Sequence, residues 1–172
     1  MRDRGVNSLM DHLWAPWRQS YVSAAQAPQP GECFLCQGAS TNKDRESLVV
    51  RRDAQSLVIL NRFPYNNGHL LVAPRRHKGT LDELDADEIL EIQQSLTRMV
   101  GALSNTLHAD GFNVGLNLGR VAGAGLPGHL HWHVVPRWNG DTNFMPVLAD
   151  TKVISQSLDT LYDLLVEYFR TV

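Results

Sequence analysis

The chain has only two cysteines in 172 residues, Cys33 and Cys36, so it has no disulfide framework. In a reducing compartment, a pair this close points to metal or redox chemistry. It also lacks any apolar run of bilayer-spanning length. The first twenty residues, MRDRGVNSLMDHLWAPWRQS, scatter charges and a proline where a secretory signal needs unbroken apolar sequence. A cytoplasmic protein with no membrane partner is the expectation. Nor is there an excess of either charge: 16 basic against 18 acidic residues give a net charge of −2. That removes the electrostatic case for binding long nucleic acid, while a nucleotide-sized ligand remains open. No internal repeat is found.

A length of 172 residues with 43% hydrophobic content suits one domain with its own core. Residues 1–32 read as an extended N-terminal arm, rich in Ala, Gln, Pro and Ser after Tyr21 and anchored by Trp14 and Trp17. Residues 33–172 read as a single domain. Within it, LVVRR from Leu48, SLVILNR from Ser56 and HLLVAP from His69 are short apolar runs bounded by turn residues, which predicts a meander of strands. Between Thr80 and His108 the period changes: Leu81, Leu84, Ile89, Ile92, Leu96, Met99, Val100, Leu103 and Leu107 recur at helical spacing. Thr80 with Glu83 forms a capping-box signature for the start, and Asp110-Gly111 is the expected end. FNVGLNLG reads as a strand, RVAGAGLPG as a loop and HLHWHVV as the next strand. Leu158, Leu161, Leu165 and Phe169 mark one face of a last helix over 155–170.

The segment GHLHWHVVPRW holds three of the seven histidines at strict alternation. On a strand, His129, His131 and His133 would project from one face, and Leu130, Trp132 and Val134 from the other. A lone histidine there would be an ordinary solvent-facing residue. Three in alternation, directly after a glycine-rich loop, point to chemistry, because imidazole near neutral pH is a nucleophile, a phosphate ligand or a metal ligand. Gly119, Gly123, Gly125 and Gly128 would let backbone N–H groups approach an anion closely, the alternative being a plain flexible connection.

These residues resemble the histidine triad family of nucleotide hydrolases and transferases. Its signature of alternating histidines followed by apolar residues is matched by His129-Leu-His131-Trp-His133-Val-Val. LNRFPYNNGHLLVAPRRH is similar to the family's upstream strand-turn-strand, and GFNVGLNLGRVAGAG to its strand and phosphate loop, so the resemblance runs over roughly residues 33 to 145. VVPRWNGDTNFMP and LWAPWR resemble the bacterial diadenosine tetraphosphate phosphorylase branch, relatives of the fragile histidine triad proteins. The resemblance implies an α+β fold: an antiparallel sheet of about five strands flanked by the long helix and the C-terminal helix, in a homodimer with one nucleotide site per subunit.

It also implies roles. His131 would attack the α-phosphorus and carry a nucleotidyl intermediate, its other nitrogen kept protonated by a nearby carbonyl. His133 would bind phosphate oxygens and assist the leaving group, with His69 completing the cluster. Asn61 would bind ribose and Asn117 orient the α-phosphate; turn and strand-end hydrogen bonding is the alternative for both. Fragile histidine triad hydrolases carry glutamine where this chain has Gly125. The bare amides of Gly125 and Leu126 would therefore admit inorganic phosphate as acceptor in place of water. The expected activity is cleavage of a dinucleoside polyphosphate, with no organic cofactor. A nucleotidyltransferase or phosphoramidase-type hydrolase of nucleoside monophosphate derivatives is the rival in the same chemistry, and a non-catalytic nucleotide-binding sensor is the rival outside it.

Cys33, Cys36, His77 and His129 supply two thiolates and two imidazoles, a set suited to tetrahedral zinc. Related proteins resemble this arrangement around a structural zinc. The alternative is a reduced Cys33–Cys36 turn without metal, with His129 among the phosphate ligands and His77 on the surface.

Overall fold

Residues 33–141 and 154–171 are described in the structure, a computed structural model. The arm expected over residues 1–32 lies outside them.

The first described element is a helix that the apolar pattern did not announce, α1 (Phe34–Ser40). Cys33 caps it, its Sγ accepting from the Cys36 N–H at 3.4 Å. Arg52 closes the other end: its guanidinium donates to the carbonyls of Gly38 (2.6 Å), Ala39 (3.1 Å) and Thr41 (2.7 Å) and pairs with Asp44. The meander follows as expected, β1 (Val49–Arg52), β2 (Ser56–Leu60) and β3 (Leu70–Pro74), each antiparallel to the next.

The long helix is present but shorter than the pattern suggested. Thr80 and Glu83 do form a capping box, yet it closes only a 3-10 turn, Leu81–Glu83. A second box, Asp85 with Glu88, starts the helix proper, α2 (Ala86–Leu107). The restart is held by Arg76, which donates to the buried Glu88 carboxylate at 2.6 Å and 2.5 Å and to Asp85 at 2.5 Å. The helix ends not at Asp110-Gly111 but at His108, a left-handed C-cap with φ 51°, and Gly111 instead opens β4 (Gly111–Leu116). Strand β5 (Trp132–Arg137) and helix α3 (Leu158–Thr171) complete the fold. The sheet order is β1-β2-β3-β5-β4 with every neighbouring pair antiparallel.

Register divides the sheet into two faces. Leu60, Leu70 and Val134 lie across from one another and join Ile92, Leu96, Met99 and Leu103 of α2 and Leu161 and Leu165 of α3 in the core. Fully burying a side chain of this size stabilises by about 1.5–3 kcal/mol, so this face secures the fold. The next row, Ile59, Leu71, His133 and Gly115, points the other way, and a Cβ built on Gly115 would meet nothing within 4 Å. The site is assembled on this second face. Among the described residues, no helix is long and apolar enough to cross a membrane.

Candidate active site

The three signature histidines were expected on one strand face, but β5 begins only at Trp132, so His129 and His131 precede it. His129 lies in a bend, its N–H donating to the Leu126 carbonyl at 3.3 Å, and the rings are delivered to two places. His131 and His133 meet edge to face, centroids 5.2 Å apart, on the wall of a cavity of about 1050 Å³. His129, 1% exposed, turns instead toward Cys33 and Cys36.

The hydrogen bonds fix which nitrogen of each ring is available. Nδ1 of His131 lies 2.8 Å from the His129 carbonyl oxygen, which can only accept. The proton therefore sits on Nδ1, and Nε2 keeps its lone pair. Burial holds the His131 imidazole below its ordinary pKa, against the opposing pull of that carbonyl. His133 is pushed down to about 4, chiefly by burial and further by His131 beside it. Both rings are therefore neutral at physiological pH, and a neutral imidazole is the nucleophilic form.

His69 is fully buried. It stands behind His133 rather than on the cavity wall, its Nε2 2.9 Å from Nδ1 of His133. At its other nitrogen, Nδ1, it accepts from the Tyr65 backbone N–H at 3.0 Å, and the Asn61 amide nitrogen lies 3.2 Å away. An imidazole that accepts at Nδ1 carries its proton on Nε2, so His69 donates to His133. His133 must then carry its own proton on Nε2. That atom is buried and has no hydrogen-bond partner among the described residues.

Asn61 and Asn117 both line the cavity. The Asn61 side-chain oxygen accepts from the Phe63 N–H at 2.9 Å, and the Asn117 amide donates to the Gly123 carbonyl at 3.4 Å, so each also braces its own turn. Gly125 and Leu126 lie on the wall as well, within the loop where Gly119 and Gly123 adopt positive φ. The expected phosphate residues are thus brought together around His131 and His133, except His69. Other lining residues were not singled out from sequence: Phe34 and Gln37 of α1, Leu48 with φ 57°, and Tyr65. Phe34 and Gln37 are separated by three positions and so share a helix face, a signal open to reading only once α1 is known to be helical. Tyr65 lies in a turn and carries no periodic signal.

The second cluster is separate from the cavity. One ligand atom from each of Cys33, Cys36, His77 and His129 lies within 4.8 Å of the others. Nδ1 of His129 is 3.2 Å from Sγ of Cys33, and Nδ1 of His77 is 3.2 Å from Sγ of Cys36. Edges of about 3.5 Å are what tetrahedral zinc with mixed sulfur and nitrogen ligands requires, so the four fit such an ion. Nε2 of His129 donates to the Pro74 carbonyl at 2.9 Å, leaving Nδ1 as the ligand nitrogen, the usual outer support of a metal histidine.

The HIT domain family matches residues 42–140. The chain belongs to the histidine triad family. Among histidine triad relatives, the AP-4-A phosphorylase of Mycobacterium tuberculosis is 39% identical over 178 aligned residues, covering 98% of this chain and 90% of that protein. A Zn-bound histidine triad family protein from Mycobacterium smegmatis superposes with a TM-score of 0.65 at 27% identity, over 81% of this chain and 94% of that one. A hypothetical histidine triad nucleotide-binding protein from Sulfolobus tokodaii gives a TM-score of 0.64 at 26% identity, over 81% and 93% of the two chains. The α+β fold with its five-stranded antiparallel sheet is the histidine triad fold.

Proposed function

We propose that this protein is a phosphorylase of dinucleoside polyphosphates such as diadenosine tetraphosphate, working through a nucleotide bound covalently to His131. The observation that carries the reading is the 2.8 Å contact between Nδ1 of His131 and the His129 carbonyl, which leaves a nucleophilic nitrogen at a nucleotide-sized cavity. The identity to a relative named AP-4-A phosphorylase over nearly the whole chain supports the substrate class.

In the first step, Nε2 of His131 bonds to the α-phosphorus while the bond to the bridging oxygen breaks, its electron pair leaving on the departing nucleoside triphosphate. The N–H at Nε2 of His133 stabilises that charge, and Asn61 and Asn117 hold ribose and phosphate. In the second step, an oxygen of inorganic phosphate bonds to phosphorus, the P–N bond breaks and His131 recovers its lone pair, giving a nucleoside diphosphate. Gly125 favours phosphate over water because it offers an amide and no side chain to orient water. Cys33, Cys36, His77 and His129 would hold a zinc ion. With all four positions filled, zinc would brace α1 against the sheet and leave the chemistry to the histidines. The unpaired side of β4 in the described sheet, with Val114 half exposed, is the edge through which two copies would join.

Product analysis tests the reading. Diadenosine tetraphosphate with phosphate is expected to give ADP and ATP in equal amounts, and a radiolabelled adduct is expected on the parent protein but not on His131→Asn. AMP in place of ADP would make water the acceptor, and no consumption with no adduct would overturn the reading.

A further inference from the structure

Tyr65 touches the His69–His133 pair in two independent ways. Its backbone N–H is the obligatory donor, 3.0 Å from Nδ1 of His69, that orders the protons along the chain from His69 to His133. Its ring stacks on both imidazoles, with centroids 4.8 Å from His69 at 25° and 5.6 Å from His133 at 29°. His69 and His133 are themselves 5.1 Å apart and tilted 42° to each other, so the Tyr65 ring lies over two imidazoles joined edge to edge by their hydrogen bond. Tyr65 is 40% exposed and lines the cavity, so its ring covers one face of each imidazole on the cavity side.

That cover has a chemical consequence. Water reaching either imidazole could donate to or accept from any ring nitrogen, and the single proton arrangement would give way to a mixture. In the other arrangement Nε2 of His133 carries a lone pair, which repels an oxygen gaining negative charge. We propose that Tyr65 is a positioning residue for nucleotidyl transfer: its ring and its amide together hold the His69–His133 pair so that the N–H at Nε2 of His133 faces the departing oxygen. The inference rests on the phosphorylase reading for the reaction it assists, but the proton arrangement is a property of the protein without substrate.

The test compares Tyr65→Phe, which keeps the ring, with Tyr65→Leu, which removes it; Tyr65→Met replaces the latter if circular dichroism shows it unfolded. Nitrogen-15 spectra of the imidazoles should give one tautomer for His69 and His133 in the parent and in Tyr65→Phe, and a mixture in Tyr65→Leu. With diadenosine tetraphosphate and phosphate, kcat should fall about tenfold in Tyr65→Leu with KM within about threefold, and should change less than about twofold in Tyr65→Phe. Unchanged tautomers in Tyr65→Leu, or a loss confined to KM, overturns the proposal. If the parent turns over no dinucleoside polyphosphate, the phosphorylase reading fails, and the imidazole spectra alone decide whether Tyr65 orders the pair.

Discussion

His129 holds His131 by its backbone and faces Cys33 by its side chain: its carbonyl oxygen is 2.8 Å from Nδ1 of His131, while its Nδ1 is 3.2 Å from Sγ of Cys33. His131 and the cysteine cluster are thus joined through one residue. Removing metal with a strong chelator is expected to lower the Tm by about 10 °C, because a closed four-ligand site contributes directly to folding. At temperatures where the protein stays folded, kcat is expected to fall as well. Elemental analysis and melting curves check the first expectation, and no zinc in fresh protein with an unchanged melt would sink it.

His131→Asn retains a polar, smaller side chain at a buried position and removes the nitrogen proposed as nucleophile. Turnover is expected to fall by about 10³-fold or more while the circular dichroism spectrum is unchanged. A variant within about tenfold of the parent would place the nucleophile elsewhere.

His133, pushed down to about 4 in the folded protein, sets a sign for acid stability. In the unfolded chain this imidazole takes up a proton near its ordinary value of about 6.5. Below that pH the unfolded state therefore binds the extra proton, and stability falls as pH falls, levelling off below about 4. The total is about 2–3 kcal/mol, most of it lost between pH 6.5 and 4. Urea midpoints across that range should drop less steeply in His133→Asn than in the parent; equal slopes would contradict the assignment.

Gly68 precedes His69 with φ +74°, and a Cβ there would stand 2.5 Å from Cδ1 of Leu107 and 3.2 Å from Cδ2 of Leu103. Gly68→Ala is expected to cost about 2–4 kcal/mol from backbone strain and overpacking together. Thermal melts measure it, and a Tm within about 2 °C of the parent would mean that α2 yields freely.

His108 is the converse case, a non-glycine residue at φ 51° closing α2. His108→Gly is expected to stabilise by about 0.5–1 kcal/mol, seen as a higher urea midpoint with no change in kcat.

Much of this was legible in the sequence because the signals were periodic. The apolar runs of β1 to β3 and the helical spacing of Leu96, Met99 and Leu103 report burial, and burial follows period. The triad was legible as a motif for the same reason, but its alternation did not mark one face: the strand begins only at Trp132, and His129 turns to Cys33 and Cys36 while His131 and His133 line the cavity. Boundaries set by competing caps were not: Thr80–Glu83 and Asp85–Glu88 are both capping boxes in sequence, and the second is the one tied down by Arg76, brought in from just beyond β3. α1 escaped because its seven residues, FLCQGAS, are too short and too poor in helix formers to show a period, and Arg52 holds it from outside. The burial of His69 behind His133 depends on register between β3 and β5, which no local pattern encodes.

One consequence of α1 concerns redesign. Cys33, its N-cap, and Cys36 belong to the cysteine–histidine cluster, while Phe34 and Gln37 border the cavity. Substitutions at 34 and 37 would therefore act on the cleft through side chains outside the four-residue cysteine and histidine set, which makes these two positions handles for engineering a new substrate preference.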